Sequence, residues 1–259
     1  MTRPLEDDLG LPVPLPDEIR RVVSLVPSLT ESVAATAPGL LVGATNWCSH
    51  PAGLDVTRVR GTKNPDVDAI VALRPDLVLA NEEENRVPDL DALRAAGVPV
   101  WVTVIRTLDE ALASLRRTLV TAMGLPEPRW LSDAGRAWSA DLAEGGQSAV
   151  IPVWRKPWMV VGRDTFAGDL LQRLGVRNLY AAHAERYPRI PLPELLAARP
   201  DLVVLPDEPY RFTADDGPGF FPGVPAALVS GRHLTWYGPS LAEAPRVLKN
   251  ALASARRDP

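Results

Sequence analysis

Residues 69–80 read Ala-Ile-Val-Ala-Leu-Arg-Pro-Asp-Leu-Val-Leu-Ala, and residues 194–205 read Glu-Leu-Leu-Ala-Ala-Arg-Pro-Asp-Leu-Val-Val-Leu. The Arg-Pro-Asp-Leu-Val cores begin at Arg74 and Arg199, 125 residues apart, and Gly97-Val98-Pro99 returns as Gly223-Val224-Pro225 at an offset of 126. Two matches at nearly one offset predict two similar lobes. In each, proline ends a helix and a short apolar run follows as a buried strand. A cleft at a lobe interface is a common seat for small molecules.

The flanking segments extend the pattern. Val22 to Val26 is an apolar run that predicts a buried strand. Ser28, with Glu31 three residues on, predicts a capping box opening a helix over 29–37. A strand over 40–44, a helix over 66–73, a strand over 77–80, a helix over 89–96 closed by Gly97 and a strand over 98–104 complete the first lobe. The second lobe is expected to carry a strand over 159–161, a helix over 166–174 capped by Gly175, a helix over 192–198, and strands over 202–205 and 226–229. Strands alternating with helices of this length imply an α/β fold with parallel sheets and helices on both faces. Two helical stretches, 108–123 and 129–143, lie between the lobes, and Leu112, Leu115, Leu119 and Met123 recur at helical spacing. The expected organisation is a loosely held arm over 1–20, an N-terminal lobe over 21–106, a helical connector over 107–146 and a C-terminal lobe over 147–259.

Bulk properties exclude several function classes. The net charge of −4 argues against a nucleic-acid surface, which carries a basic excess. Cys48 is the only cysteine, so no internal disulfide forms. No run of 18 apolar residues is present to span a membrane. The N-terminal residues show neither a basic and apolar leader pattern nor an early cysteine for lipid attachment, so a cytoplasmic location is expected.

Val22 to Glu31 (VVSLVPSLTE), Gly61-Thr62-Lys63-Asn64-Pro65, Arg74-Pro75-Asp76-Leu77-Val78, the segment 158–175 and Pro245-Arg246-Val247-Leu248 stand in an order that resembles one family. It is that of the substrate-binding proteins of ABC importers for vitamin B12, iron-siderophores and haem, also called helical-backbone metal receptors. The resemblance covers about residues 20–253. It implies two Rossmann-like lobes joined by a long helix, as in class III periplasmic binding proteins, and binding without chemistry. It also implies an acid on each lobe that docks onto permease arginines. Asp68 holds the first position; Gly238 stands at the second, and Glu243 is displaced from it. With the missing second acid and the missing leader pattern, the chain reads as an intracellular relative that keeps the binding fold, with delivery to an ABC permease in doubt.

In α/β sheets, ligands sit beyond the carboxyl ends of the strands. Trp47 follows the second strand, with Cys48 and His50 beside it as candidate ligands for a transition-metal ion such as zinc. The plainer reading of those two is a buried thiol and a hydrogen-bonded loop histidine. Glu83, Glu84, Asn85 and Arg86 follow the third strand; the carboxylates suit a cation, the guanidinium a carboxylate, unless Arg86 and Glu84 neutralise each other. Arg211 ends the matching loop of the second lobe. Trp158, Arg163, Trp236 and Tyr237 complete the set, with Arg163 near a helix N-terminus capped by Asp164 or Thr165. Seven tryptophans against four phenylalanines, several in these loops, suit a partly planar, polar ligand: a corrinoid or cobalamin-like molecule, a tetrapyrrole, or a siderophore-like metal complex. The alternative is a cytosolic enzyme that recruited the fold, using acidic and Cys/His residues on a small polar substrate. No G-x-S-x-G, H-E-x-x-H or P-loop motif supports it.

Overall fold

The computed structural model describes residues 3–139 and 146–255. The chain forms two compact units. One takes the residues up to Ile105 with Glu110–Ser132 and Tyr237–Pro239; the other takes Arg106–Asp109, Asp133–Trp236 and the residues from Ser240 onward.

The first unit opens with an antiparallel hairpin, β1 (Arg3–Glu6) and β2 (Pro12–Leu15), in place of the loose arm expected there. Val13 and Leu15 alternate inward between exposed Pro12 and Pro14, which gives the hairpin an apolar face to bury. There follow β3 (Val22–Ser24), α1 (Pro27–Thr36), β4 (Leu41–Ala44), β5 (Thr57–Arg58), the short antiparallel pair β6 (Arg60–Gly61) and β7 (Asn64–Pro65), α2 (Val67–Ala72), β8 (Leu77–Asn81), α3 (Val87–Ala95) and β9 (Val100–Thr103). The main sheet runs β5-β4-β3-β8-β9, with every pair parallel. All residues of β8 and β9 are buried, as a strand covered on both faces requires. Val23, Val78, Ala80, Val100 and Val102 share one core cluster with Ile70 of α2 and Leu90 and Leu93 of α3.

The capping box at Ser28 does not form. Val26 is the N-cap residue, Pro27 takes the first helical position, and no side chain caps the end. Proline's fixed φ starts the helix there instead. Asp66 does cap α2, its carboxylate accepting the Ala69 amide at 3.1 Å. Helical structure continues in α4 (Leu108–Arg116), a π-helical turn over Arg117–Ala122, and α5 (Arg129–Ala137). Residues 140–143 of the helix expected over 129–143 lie outside the described residues.

The second unit contains β10 (Ser148–Val150), β11 (Pro152–Trp154), β12 (Met159–Val160), α6 (Phe166–Arg173), β13 (Arg177–Asn178), α7 (Leu192–Ala197), β14 (Leu202–Pro206), β15 (Ala226–Val229), α8 (Gly231–Thr235) and α9 (Ala244–Ala253). Its parallel sheet runs β13-β10-β14-β15. The strand expected over 159–161 pairs antiparallel with β11 and lies outside this sheet. Its place as first strand belongs to Ser148–Val150.

The two sheets share one plan. With the edge strand β5 set aside, β4-β3-β8-β9 and β13-β10-β14-β15 follow the same order: the first strand in the chain lies between the second and the third, and the fourth follows the third. The repeated sequence marks the same turns. Arg74 and Arg199 take φ of 46° and 49°, and Gly97 and Gly223 take 79° and 75°. Arg74, Gly97 and Arg199 thus stop α2, α3 and α7 in a left-handed residue, a common way to end a helix, and Gly223 makes the same left-handed turn just before β15.

Candidate functional site

In the first unit, the loop after β8 is shaped by its asparagines. Asn85 is buried; its amide group donates to Thr62 O at 3.0 Å and Leu25 O at 3.4 Å, while its side-chain oxygen accepts the Asn81 amide at 2.9 Å. Asn81 reaches across to Thr103 and accepts the Glu83 amide. Asn85 therefore serves the loop itself. Glu84 is half-buried, and desolvation pushes its carboxyl above the usual range, with Lys63 opposing. Lys63 also donates to the Glu83 carbonyl. Arg86, the N-cap residue of α3, pairs with Asp89 of the first turn at 3.1 Å, not with Glu84. Tyr237 belongs to this unit and is buried. Its phenol is pushed well above its ordinary value by burial, and the carboxylates of Glu84 and Glu83 act in the same direction.

The loop after β4 buries Cys48, 1% exposed, against the Thr30 hydroxyl at 3.0 Å and the Thr45 hydroxyl at 3.2 Å. Arg58 holds the loop by the carbonyls of Thr45 and Cys48. His50 Nδ1 lies 3.1 Å from the Ser49 hydroxyl. Among the described residues no three His, Cys, Asp or Glu side chains gather as a metal cluster. Trp47 is 68% exposed and lies beside Gly61, where an added Cβ would fall 3.3 Å from the indole nitrogen.

The second unit carries an aromatic group around the β11–β12 hairpin. Trp158 packs inward, stacked on Phe212 at 6.1 Å and edge-on to Phe220 and Phe221 at 5.5 and 5.6 Å. The residue that faces outward is Trp154, 42% exposed, edge-on to Tyr210 at 5.6 Å. Arg155 lies 4.7 Å from the Phe220 ring centre, donates to the Tyr210 hydroxyl at 3.2 Å and pairs with Asp216 at 2.8 Å. Tyr210 donates to Asp216 at 2.6 Å. Trp154, Arg155 and Tyr210 are not singled out by the sequence; which tryptophan of a hairpin is exposed is set by register, which composition does not reveal.

Arg163 is exposed, 3.6 Å from Asp164. It lines a cavity of about 690 Å³ with Arg106, Arg177 and Asn178, within the size range of ligand sites. Thr165 is the N-cap residue of α6, but its hydroxyl turns to Gly162 O at 3.4 Å and caps nothing. Arg211 is exposed. In the same loop, Asp207 accepts the Gly231 amide at 2.6 Å, and a Cβ on Gly231 would fall 2.3 Å from the Glu208 side chain, so glycine is required there. Trp236 is buried and forms no open wall. Glu243 is engaged by His233 at 3.0 Å, which lowers its carboxyl below the usual range, and His233 meets the Ser230 hydroxyl at 2.8 Å.

No family model matches the chain. It is 25% identical over 207 residues to the vitamin B12-binding protein of Pectobacterium carotovorum, covering 75% of this chain and 74% of that one. It is 23% identical over 198 residues to the vitamin B12-binding protein of Vibrio parahaemolyticus, covering 72% and 70%. Solved structures of the same fold include the periplasmic vitamin B12 binding protein of Vibrio cholerae, with a TM-score of 0.71 at 17% identity over 91% of this chain and 97% of that one. The apo periplasmic haem-binding protein of Roseiflexus superposes with a TM-score of 0.74 at 21% identity over 90% and 97%. A Helicobacter pylori protein with Ni(II) bound gives 0.79 at 12% identity over 96% and 88%. Among the described residues no helix is long and apolar enough to cross a membrane. In sequence the chain is similar to vitamin B12-binding proteins, and in fold to periplasmic vitamin B12- and haem-binding proteins, a likeness that agrees with the family to which its motifs point.

Proposed function

We propose that the protein binds a small molecule of the corrinoid, tetrapyrrole or metal-complex class at the loops beyond its strands' carboxyl ends, without chemistry. The observation that carries this reading is the support under Trp154. An exposed indole rests edge-on against Tyr210, and Tyr210 is fixed by Arg155 and Asp216. A planar ligand meets a wall whose rotamers are already set, which lowers the ordering cost of binding. Trp47, Glu83, Glu84, Arg163 and Arg211 are the further proposed contacts. Asn85, Trp158, Trp236 and Tyr237 are engaged in the body of the protein, and we assign them support of the site. Two carboxylates, Glu83 and Glu84, offer a cationic group a partner.

Asp68 stands exposed in the first turn of α2, where a permease contact would need it. Gly238 is fitted closely against α1: a Cβ there would lie 3.0 Å from Ser32 Oγ and 3.1 Å from Ser28 O. Any side chain there would press on α1, and the chain has no acid at that place, so docking to a permease through an acid pair is left out of the proposal. Two of the similar solved proteins are described as periplasmic. Fractionation of the native protein decides between that compartment and the cytoplasmic one expected from the N-terminal residues.

The test is native purification with a visible spectrum and metal analysis, followed by titration with cyanocobalamin and haemin. Trp154→Ala is expected to weaken binding at least ten-fold with an unchanged melting temperature. Equal binding by that variant, with loss in Arg163→Ala, would move the site to the cavity beside β13. Failure of the wild type to bind either compound would overturn the ligand class.

A further inference from the structure

β9 is the last strand of its sheet, so one side of it meets no further strand of that sheet. An open strand edge is a template for pairing with another chain. Here the turn of the N-terminal hairpin takes the outward groups. The Asp8 amide donates to Val102 O at 3.1 Å. Asp7 Oδ2 accepts the Val102 amide at 3.3 Å, and Asp8 Oδ2 accepts the Val104 amide at 3.1 Å. One amide and two carboxylates stand in for the groups of a neighbouring strand.

Both carboxylates are themselves held. Asp7 Oδ1 accepts the Leu9 and Leu11 amides, each at 3.0 Å, which sets the turn. Asp8 receives Arg117 at 2.7 Å and the Ser114 hydroxyl. Arg117 also donates to Glu6 O at 2.6 Å and lies over the Trp101 ring at 5.6 Å. The hairpin turn is therefore fastened to β9 and to α4 with its π-helical continuation.

The second unit supplies the comparison. Val78 pairs with Val100 and Val203 with Ala226, so Leu228 of β15 holds the register position of Val102. Val102 is fully buried, whereas Leu228 is 41% exposed. We propose that residues 3–15 are an intramolecular clasp that occupies the strand-accepting edge of β9, and that they are retained in the working protein. A segment trimmed away on maturation has no reason to place two aspartates on the backbone of a strand some 95 residues away.

The test uses the full chain. In Asp7→Ala/Asp8→Ala, the Val102 and Val104 amides are expected to exchange hydrogen at least ten-fold faster, with the β8 amides unchanged, and light scattering is expected to show concentration-dependent association. Absence of either response overturns the proposal. Should that variant fail to fold, Asp8→Ala alone is expected to release Val104 while Val102 stays protected; unchanged exchange at Val104 overturns it equally. Intact mass of the native protein is expected to place its N-terminus at or before Arg3, and a mature N-terminus beyond Leu15 would refute retention.

Discussion

Asp76 and Asp201 make the same contact, each inside its own unit. Asp76 Oδ2 accepts the Arg20 and Arg21 amides, both at 2.8 Å; Asp201 Oδ2 accepts the Ser148 amide at 2.9 Å and the Ser148 hydroxyl at 2.6 Å. Their own amides donate back to Arg21 O and Ser148 O. The repeated Arg-Pro-Asp is thereby explained. Its arginine makes the left-handed turn, its proline bars further helix, and its aspartate ties the entry of β8 to that of β3 and the entry of β14 to that of β10.

Asp201 should leave a signature in acid. The Ser148 hydroxyl, followed by its amide, holds this carboxyl below its ordinary value of 3.8. A depressed acid contributes stability above its unfolded pKa and loses it as pH falls through the folded value. Asp201→Ala is expected to melt lower at pH 7 and to lose less melting temperature than the wild type below about pH 4. Parallel acid limbs in the two proteins would contradict the contact.

Glu84 has the opposite sign. Burial raises its carboxyl, so the charged form destabilises the folded state above the ordinary carboxylate range, and the penalty fades as pH falls through the raised value. Glu84→Gln is expected to melt higher than the wild type at pH 7–8, with the difference closing toward about pH 4. A lower melting temperature at pH 8 would show that the carboxylate is held by partners stronger than Lys63.

The tryptophans divide by burial. Trp236→Ala removes a buried indole and should destabilise by about 3–5 kcal/mol in urea unfolding. Trp47→Ala at an exposed site should change stability by no more than about 0.5 kcal/mol. A Trp236→Ala protein as stable as the wild type would contradict its place in the core.

The strained turns offer a stabilising pair. Arg74 and Arg199 sit at φ of 46° and 49°, a region that disfavours a residue with a Cβ by about 1–2 kcal/mol. Arg74→Gly and Arg199→Gly, both at exposed positions, are each expected to gain up to about 1 kcal/mol in urea titration. Gly97→Ala, at φ of 79°, should lose a similar amount.

Much of the fold was legible because its signals are local. Apolar runs ended by Arg-Pro-Asp place β8 and β14, and Gly97 and Gly175 mark the ends of α3 and α6 where expected. Ser148–Val150 was missed because three residues between a glycine pair and Pro152 show no period. The site was less legible. Whether Trp154 or Trp158 faces outward depends on the register of a hairpin. Arg86 finding Asp89 was open to reading from its spacing of three, but Glu84 is nearer in sequence and lies on the loop instead. Glu243 meets His233 ten positions away through the packing of α8 against α9. The roles of Asp7 and Asp8 depend on Val102 and Val104, beyond the reach of any local pattern.

That separation has a consequence for synthesis. The hairpin leaves the ribosome before its strand partners, which follow 95 and 96 residues later. At about 5–20 residues per second, roughly 5–20 s pass before those partners are made. Throughout that interval the hairpin turn is without the β9 backbone groups and the Arg117 guanidinium that hold it in the folded chain. The clasp can therefore close only after the whole first sheet has been made.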